Sequence, residues 1–89
     1  MKKKEEKTDM SEFTLIVGKR IRKARKAKNL TLEELAERCG LHPAYIGQLE
    51  RGVKNASLYT LEKIACALEL SLTDLVGNSD IVTETAKTN

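Results

Sequence analysis

Helix start and stop signals recur at short intervals along this sequence and leave room for little besides short helices. Thr31-Leu32-Glu33-Glu34 reads as a capping box, in which the Thr31 hydroxyl takes the Glu34 amide and the Glu34 carboxylate reaches back. Ser71-Leu72-Thr73-Asp74 repeats the pattern, and Ser57 is placed to cap another helix. Asn29, Gly40 and Gly52 stand where helices can stop. Pro43 suits a first helical turn, where its missing donor costs nothing. Between these marks the apolar residues keep helical spacing. Val17, Ile21 and Ala24 share one face of a first helix, and Leu35, Ala36 and Cys39 line a second. Ile46 and Leu49 point inward from a third helix over about 43–51, with Leu41 inward just before it. Leu58, Leu61, Ile64, Ala65 and Leu68 form the expected buried stripe of a fourth, and a short fifth ends at Val76-Gly77. The only aromatics are Phe13, Tyr45 and Tyr59, so the core must be aliphatic, which suits packed helices better than a small sandwich. The expected fold is all-α with five helices.

Eighty-nine residues make one small domain, which hides only about 60% of the surface its unfolded chain exposes. That excludes a two-domain enzyme or a barrel. Residues 1–10 are expected as a disordered arm, 11–77 as the folded domain and 78–89 as a flexible tail. Charge is divided unevenly: residues 1–30 carry +7 and residues 31–89 carry −4, within a net +3. Such asymmetry points to a polyanion met by one part of the molecule. No apolar run approaches the roughly 20 residues of a membrane span, no signal region follows the opening lysines, and the chain is expected to be cytoplasmic. Cys39 and Cys66 lie far apart with one His in the chain, so neither a zinc site nor another metal centre is expected, and both read as buried thiols.

Two short helices joined around Gly40, over about 31–51, form a helix-turn-helix. Leu35, Leu41, Ile46 and Leu49 would lock them together, with Ala36 small enough for close approach. That leaves Pro43, Ala44, Gln48 and Arg51 as candidate base-reading residues on the second helix, with Gly47 reducing bulk beside them. Gln48 can make a bidentate contact with adenine, and Ala44 can touch a thymine methyl in a major groove about 12 Å wide. Leu32 (through its backbone), His42, Tyr45, Lys54 and Asn55 are the candidate phosphate contacts. His42 also reads as a turn residue or helix cap, and Tyr45 as half core.

Leu30-Thr31-Leu32-Glu33-Glu34-Leu35-Ala36, Gly40-Leu41, Tyr45-Ile46-Gly47-Gln48-Leu49-Glu50-Arg51-Gly52, Ser57-Leu58, Leu61, Ile64-Ala65 and Leu68 together resemble the phage-repressor and Cro-type (XRE) helix-turn-helix family, across about residues 13–76. The wording from Tyr45 to Ser57 is also similar to the controller proteins of restriction–modification systems. The resemblance implies a five-helix domain that binds double-stranded DNA as a homodimer on a near-palindromic operator, as a transcriptional regulator and repressor. It also implies a partly buried Arg25–Glu50 pair tying the first helix to the third. Two departures thin the base code: Leu32 stands where members often have Gln, and Pro43-Ala44 where they often have Arg, Gln or Ser. Leu70, Leu72, Leu75 and Val76 are the candidate dimer seam.

Other functions fit less well. An antitoxin-type module that masks a partner protein would need a segment devoted to that partner. A membrane-surface helix over 13–28 leaves Gly40, Gly52 and both capping boxes unexplained. An enzyme would need a nucleophile–base pair or metal cluster, and one His in a turn supplies neither. No cofactor and no small-molecule ligand are expected. The Lys19–Lys28 run is a solvated face with a diffuse pull on polyanions.

Overall fold

The computed structural model describes residues 2–77, with side chains from Glu12 onward. Five helices follow one another: α1 (Lys2–Ala27), α2 (Leu32–Cys39), α3 (Pro43–Glu50), α4 (Leu58–Ala67) and α5 (Leu72–Val76). The backbone of α1 is helical through residues 2–10, which the sequence set apart as an arm; Lys, Glu and Met there are good helix formers. Residues 78–89 lie outside the described residues.

The punctuation acts where the residues place it. Asn29 takes a left-handed φ of 59°, and the Leu30 amide reaches back to the Arg25 carbonyl at 3.1 Å, closing α1. Thr31 and Glu34 form the reciprocal capping box, and Gly40 ends α2 at φ 72°, a conformation that costs a residue with a Cβ more than glycine. Ser57 accepts from the Thr60 amide, and Ser71 with Asp74 forms the second box. The end of α4 carries no glycine signal. Glu69 itself adopts φ 61°, held by a 2.8 Å bond from the Leu70 amide to the Ala65 carbonyl.

One core joins the helices. α1 lies on α3 and α5, α2 on α3 and α4, and α4 on α5. Ile21, Leu35, Ile46, Ile64, Leu68 and Leu75 are its largest fully buried side chains. α1 meets the end of α3 at Gly18, where a Cβ would strike the carbonyl oxygens of Leu49 and Glu50. The absence of a side chain sets how closely these helices approach.

Three expectations are corrected. Leu58 is 67% exposed, because the first turn of α4 overhangs the core. Cys66 is exposed while Cys39 is buried, and both are free thiols. Arg20 does not belong to the solvated basic face: its Nη1 donates to the carbonyls of Leu75 at 3.1 Å and Gly77 at 2.8 Å, tying the end of α5 to α1.

Candidate nucleic-acid interface

α3 has two unlike faces. Ile46, Leu49 and Glu50 point inward and are buried. The Glu50 carboxylate accepts from Arg25 Nε at 2.6 Å and from Arg25 Nη2 at 3.0 Å, while Arg25 Nη1 donates to the Leu30 carbonyl at 2.8 Å. The guanidinium therefore binds α1, α3 and the turn before α2 together, as a fork whose geometry matches a carboxylate. The Glu50 partner raises the Arg25 pKa, against the opposing effect of burial. Among the described residues no buried side-chain nitrogen or oxygen lacks a partner. The acid at the end of α3 is thus turned inward, away from the exposed side of the helix.

On the opposite side Ala44 and Arg51 are exposed, with Pro43 and Gln48 half-buried at the same surface. Gly47 is buried, so it is not bulk removed from an open groove. A Cβ there would lie 3.4 Å from Arg51 Nη1 and 3.6 Å from Leu32 Cδ1. Arg51 is thereby laid back along α3, and Leu32, at the first turn of α2, packs across the junction of the two helices. The capping box takes the amides of Thr31 and Glu34, leaving the Leu32 amide at the open start of α2.

His42 holds the N-cap position of α3 and is exposed, but its side chain makes no capping bond. Tyr45 is half-buried against the core. Lys54 and Asn55 are exposed on the loop after α3, and Asn55 Oδ1 accepts from the Thr14 hydroxyl at 2.6 Å, which fixes the loop to α1. Pro43, Ala44, Gln48, Arg51 and Leu32 therefore share one surface around the α2–α3 junction. Lys54 and Asn55 flank the far end of α3.

The remaining charges are spread. Lys19, Arg22, Lys23 and Lys26 are exposed on α1 and recur at helical spacing opposite its core face. Lys28 donates to Glu69 at 2.8 Å across the surface and draws the Glu69 pKa below its ordinary value. Burial raises the Cys39 pKa, as expected of an inert core thiol. No group of three or more His, Cys, Asp or Glu residues among the described residues is arranged to hold a metal. No helix among them is long and apolar enough to cross a membrane. In the candidate seam Leu70, Leu72 and Val76 are half-buried. Leu75 is fully buried within its own chain and drops out of any seam, because its position in α5 faces α4 and α1.

Sequence reasoning missed Arg20 and Gly18. Neither carries a local signal, since what each meets lies in a distant part of the chain.

Residues 21–75, more than half of the chain, match the Helix-turn-helix family (HTH_3). The chain is 43% identical over 72 residues to the control protein C.BamHI of Bacillus amyloliquefaciens, an alignment covering 80% of this chain and 89% of that one. Its fold is similar to the restriction–modification controller protein C.AhdI from Aeromonas hydrophila, with TM-score 0.68 and 40% identity over 70% of this chain and 94% of that one. It is also similar to the biofilm master regulator SinR, solved in complex with DNA, with TM-score 0.66 and 37% identity over 68% of this chain and 98% of that one. The five-helix architecture, the helix-turn-helix at its centre and these likenesses agree: the chain belongs to the XRE-type helix-turn-helix family of DNA-binding transcription regulators.

Proposed function

We propose that this regulator binds a near-palindromic operator as a homodimer, lays α3 in the major groove and represses by occupancy, without catalysis of its own. The observation that carries this is the division of α3. Its inner face is consumed by Ile46, Leu49 and the Arg25–Glu50 pair, while Ala44, Gln48 and Arg51 remain at the surface. Gln48 is assigned to adenine and Ala44 to a thymine methyl, with Pro43 setting the start of the helix. Arg51, which lies back beside Leu32, is assigned to a base edge or an adjoining phosphate. The Leu32 amide, His42, Tyr45, Lys54 and Asn55 are assigned to phosphates, which fix register without reading sequence. With few base-reading groups, operator shape carries a share of the specificity. Leu70, Leu72 and Val76 supply the two-fold seam, and a cytoplasmic location follows from such a role.

Selection from a random duplex pool by the purified protein tests this. A two-fold motif with half-sites about one helical turn apart is the expected result. Weak binding to every duplex, with steep salt dependence and no motif, would leave only the electrostatic attraction.

A further inference from the structure

α3 ends at Arg51, and two backbone bonds fold the chain back on itself there. The Val53 amide donates to the Gln48 carbonyl at 3.1 Å and the Gly52 amide to the Leu49 carbonyl at 3.1 Å, around Gly52 at φ 76°. A helix stop of this kind brings the second residue past the cap beside the residue three before it, and the two are commonly apolar and cover each other. Here those residues are Val53 and Gln48, and the residue before Gln48 is Gly47, so no large apolar partner awaits the valine. Val53 is 63% exposed, while Gln48 is half-buried.

The backbone around Val53 is held on both sides by α1. A Cβ at Gly52 would strike Leu15, and Asn55 Oδ1 accepts from the Thr14 hydroxyl at 2.6 Å. The core makes little use of this valine, yet its position is fixed beside the residue assigned to adenine. Glutamine reads adenine only when both atoms of its amide meet the base edge, and a free glutamine loses rotamer freedom in doing so. We propose that Val53 is a positioning residue for base reading. Its methyls lie against the two methylenes of Gln48 and aim the terminal amide away from the protein, toward the adenine edge. The apolar stem is covered and the polar end is left to DNA. The role in recognition rests on the adenine assignment of Gln48; the contact between the two side chains does not. Ordering one such side chain in advance is worth about 2- to 12-fold in affinity.

Gln48 is the only glutamine in the chain, so its side-chain amide gives a unique nuclear magnetic resonance signal. In the free full chain, Overhauser contacts from the Val53 methyls to the Gln48 methylenes are expected, with an amide order parameter that falls in V53A. Absence of those contacts in the native chain would overturn the proposal. For recognition, competition binding compares the selected operator with versions altered at the base pair whose preference changes in Q48A. V53A should lose about 2- to 12-fold of the discrimination at that pair. Its salt slope and urea stability should match the native chain, and V53I should keep the discrimination. The loss should vanish in the absence of Gln48, so that Q48A/V53A matches Q48A alone. Equal weakening of every duplex by V53A, or the same loss in the Q48A background, would overturn the role in recognition. Should Q48A leave every position unchanged, the adenine reading fails and takes that role with it, while the methyl contacts still decide the packing.

Discussion

The two faces of α3 differ in what limits them. Inward, Glu50 is held by two hydrogen bonds from Arg25, and Ile46 is wholly buried. Outward, Ala44 and Arg51 meet solvent, and Gln48 lies partly open beside them. The inner residues answer to the fold, so changing them alters stability first. The outer residues answer to whatever lies against the helix, so changing them should leave the fold intact. One eight-residue helix thus separates the residues that hold the fold from those left at the surface by the side of the cylinder on which each falls.

Substitutions can break or sharpen that separation. The largest effect is expected from Arg25→Ala, which strands the Glu50 carboxylate and should cost about 3–5 kcal/mol in urea denaturation. Replacing both partners, as R25M/E50L, should recover most of that loss, because two apolar side chains leave no buried charge. Gly18→Ala forces a methyl against the carbonyls of Leu49 and Glu50 and should cost about 1–3 kcal/mol by the same measurement. On the outer face Gln48→Ala should change stability by no more than about 0.5 kcal/mol. It should still cost about 1–3 kcal/mol of discrimination at one operator position in competition binding. Lys54→Ala should weaken all duplexes alike and lower the salt slope by about 0.9, read from affinities across a salt series. The smallest effect belongs to the exposed Lys28–Glu69 pair. Its carboxyl pKa is lowered in the folded state, so its stabilisation is present above the ordinary carboxylate range and fades as pH falls through the folded value. Glu69→Gln should remove that acid-side dependence at low salt and change nothing measurable at high salt.

Local signals made most of the fold legible. Thr31 with Glu34, Ser71 with Asp74, Asn29 and Gly40 each settle their own helix end through bonds that span only a few residues. The outer face of α3 was legible for the same reason, since helical spacing alone separates Ala44, Gln48 and Arg51 from Ile46 and Leu49. What escaped depends on distance along the chain or on where an element overhangs. Arg20 meets carbonyls 55 and 57 residues away, and Gly18 matters only because the end of α3 comes to rest on it. Leu58 follows the apolar spacing yet lies beyond the reach of the core, and Leu75 turns inward where a seam was expected. Glu69 turns through a left-handed conformation that its own type does not announce.

The central claim is that the outer face of α3 enters the major groove. Methylation protection on the selected operator tests it most directly, because guanine N7 lies in the major groove and adenine N3 in the minor. The account predicts guanine N7 protection in two half-sites about one helical turn apart. Protection confined to adenine N3 would contradict it.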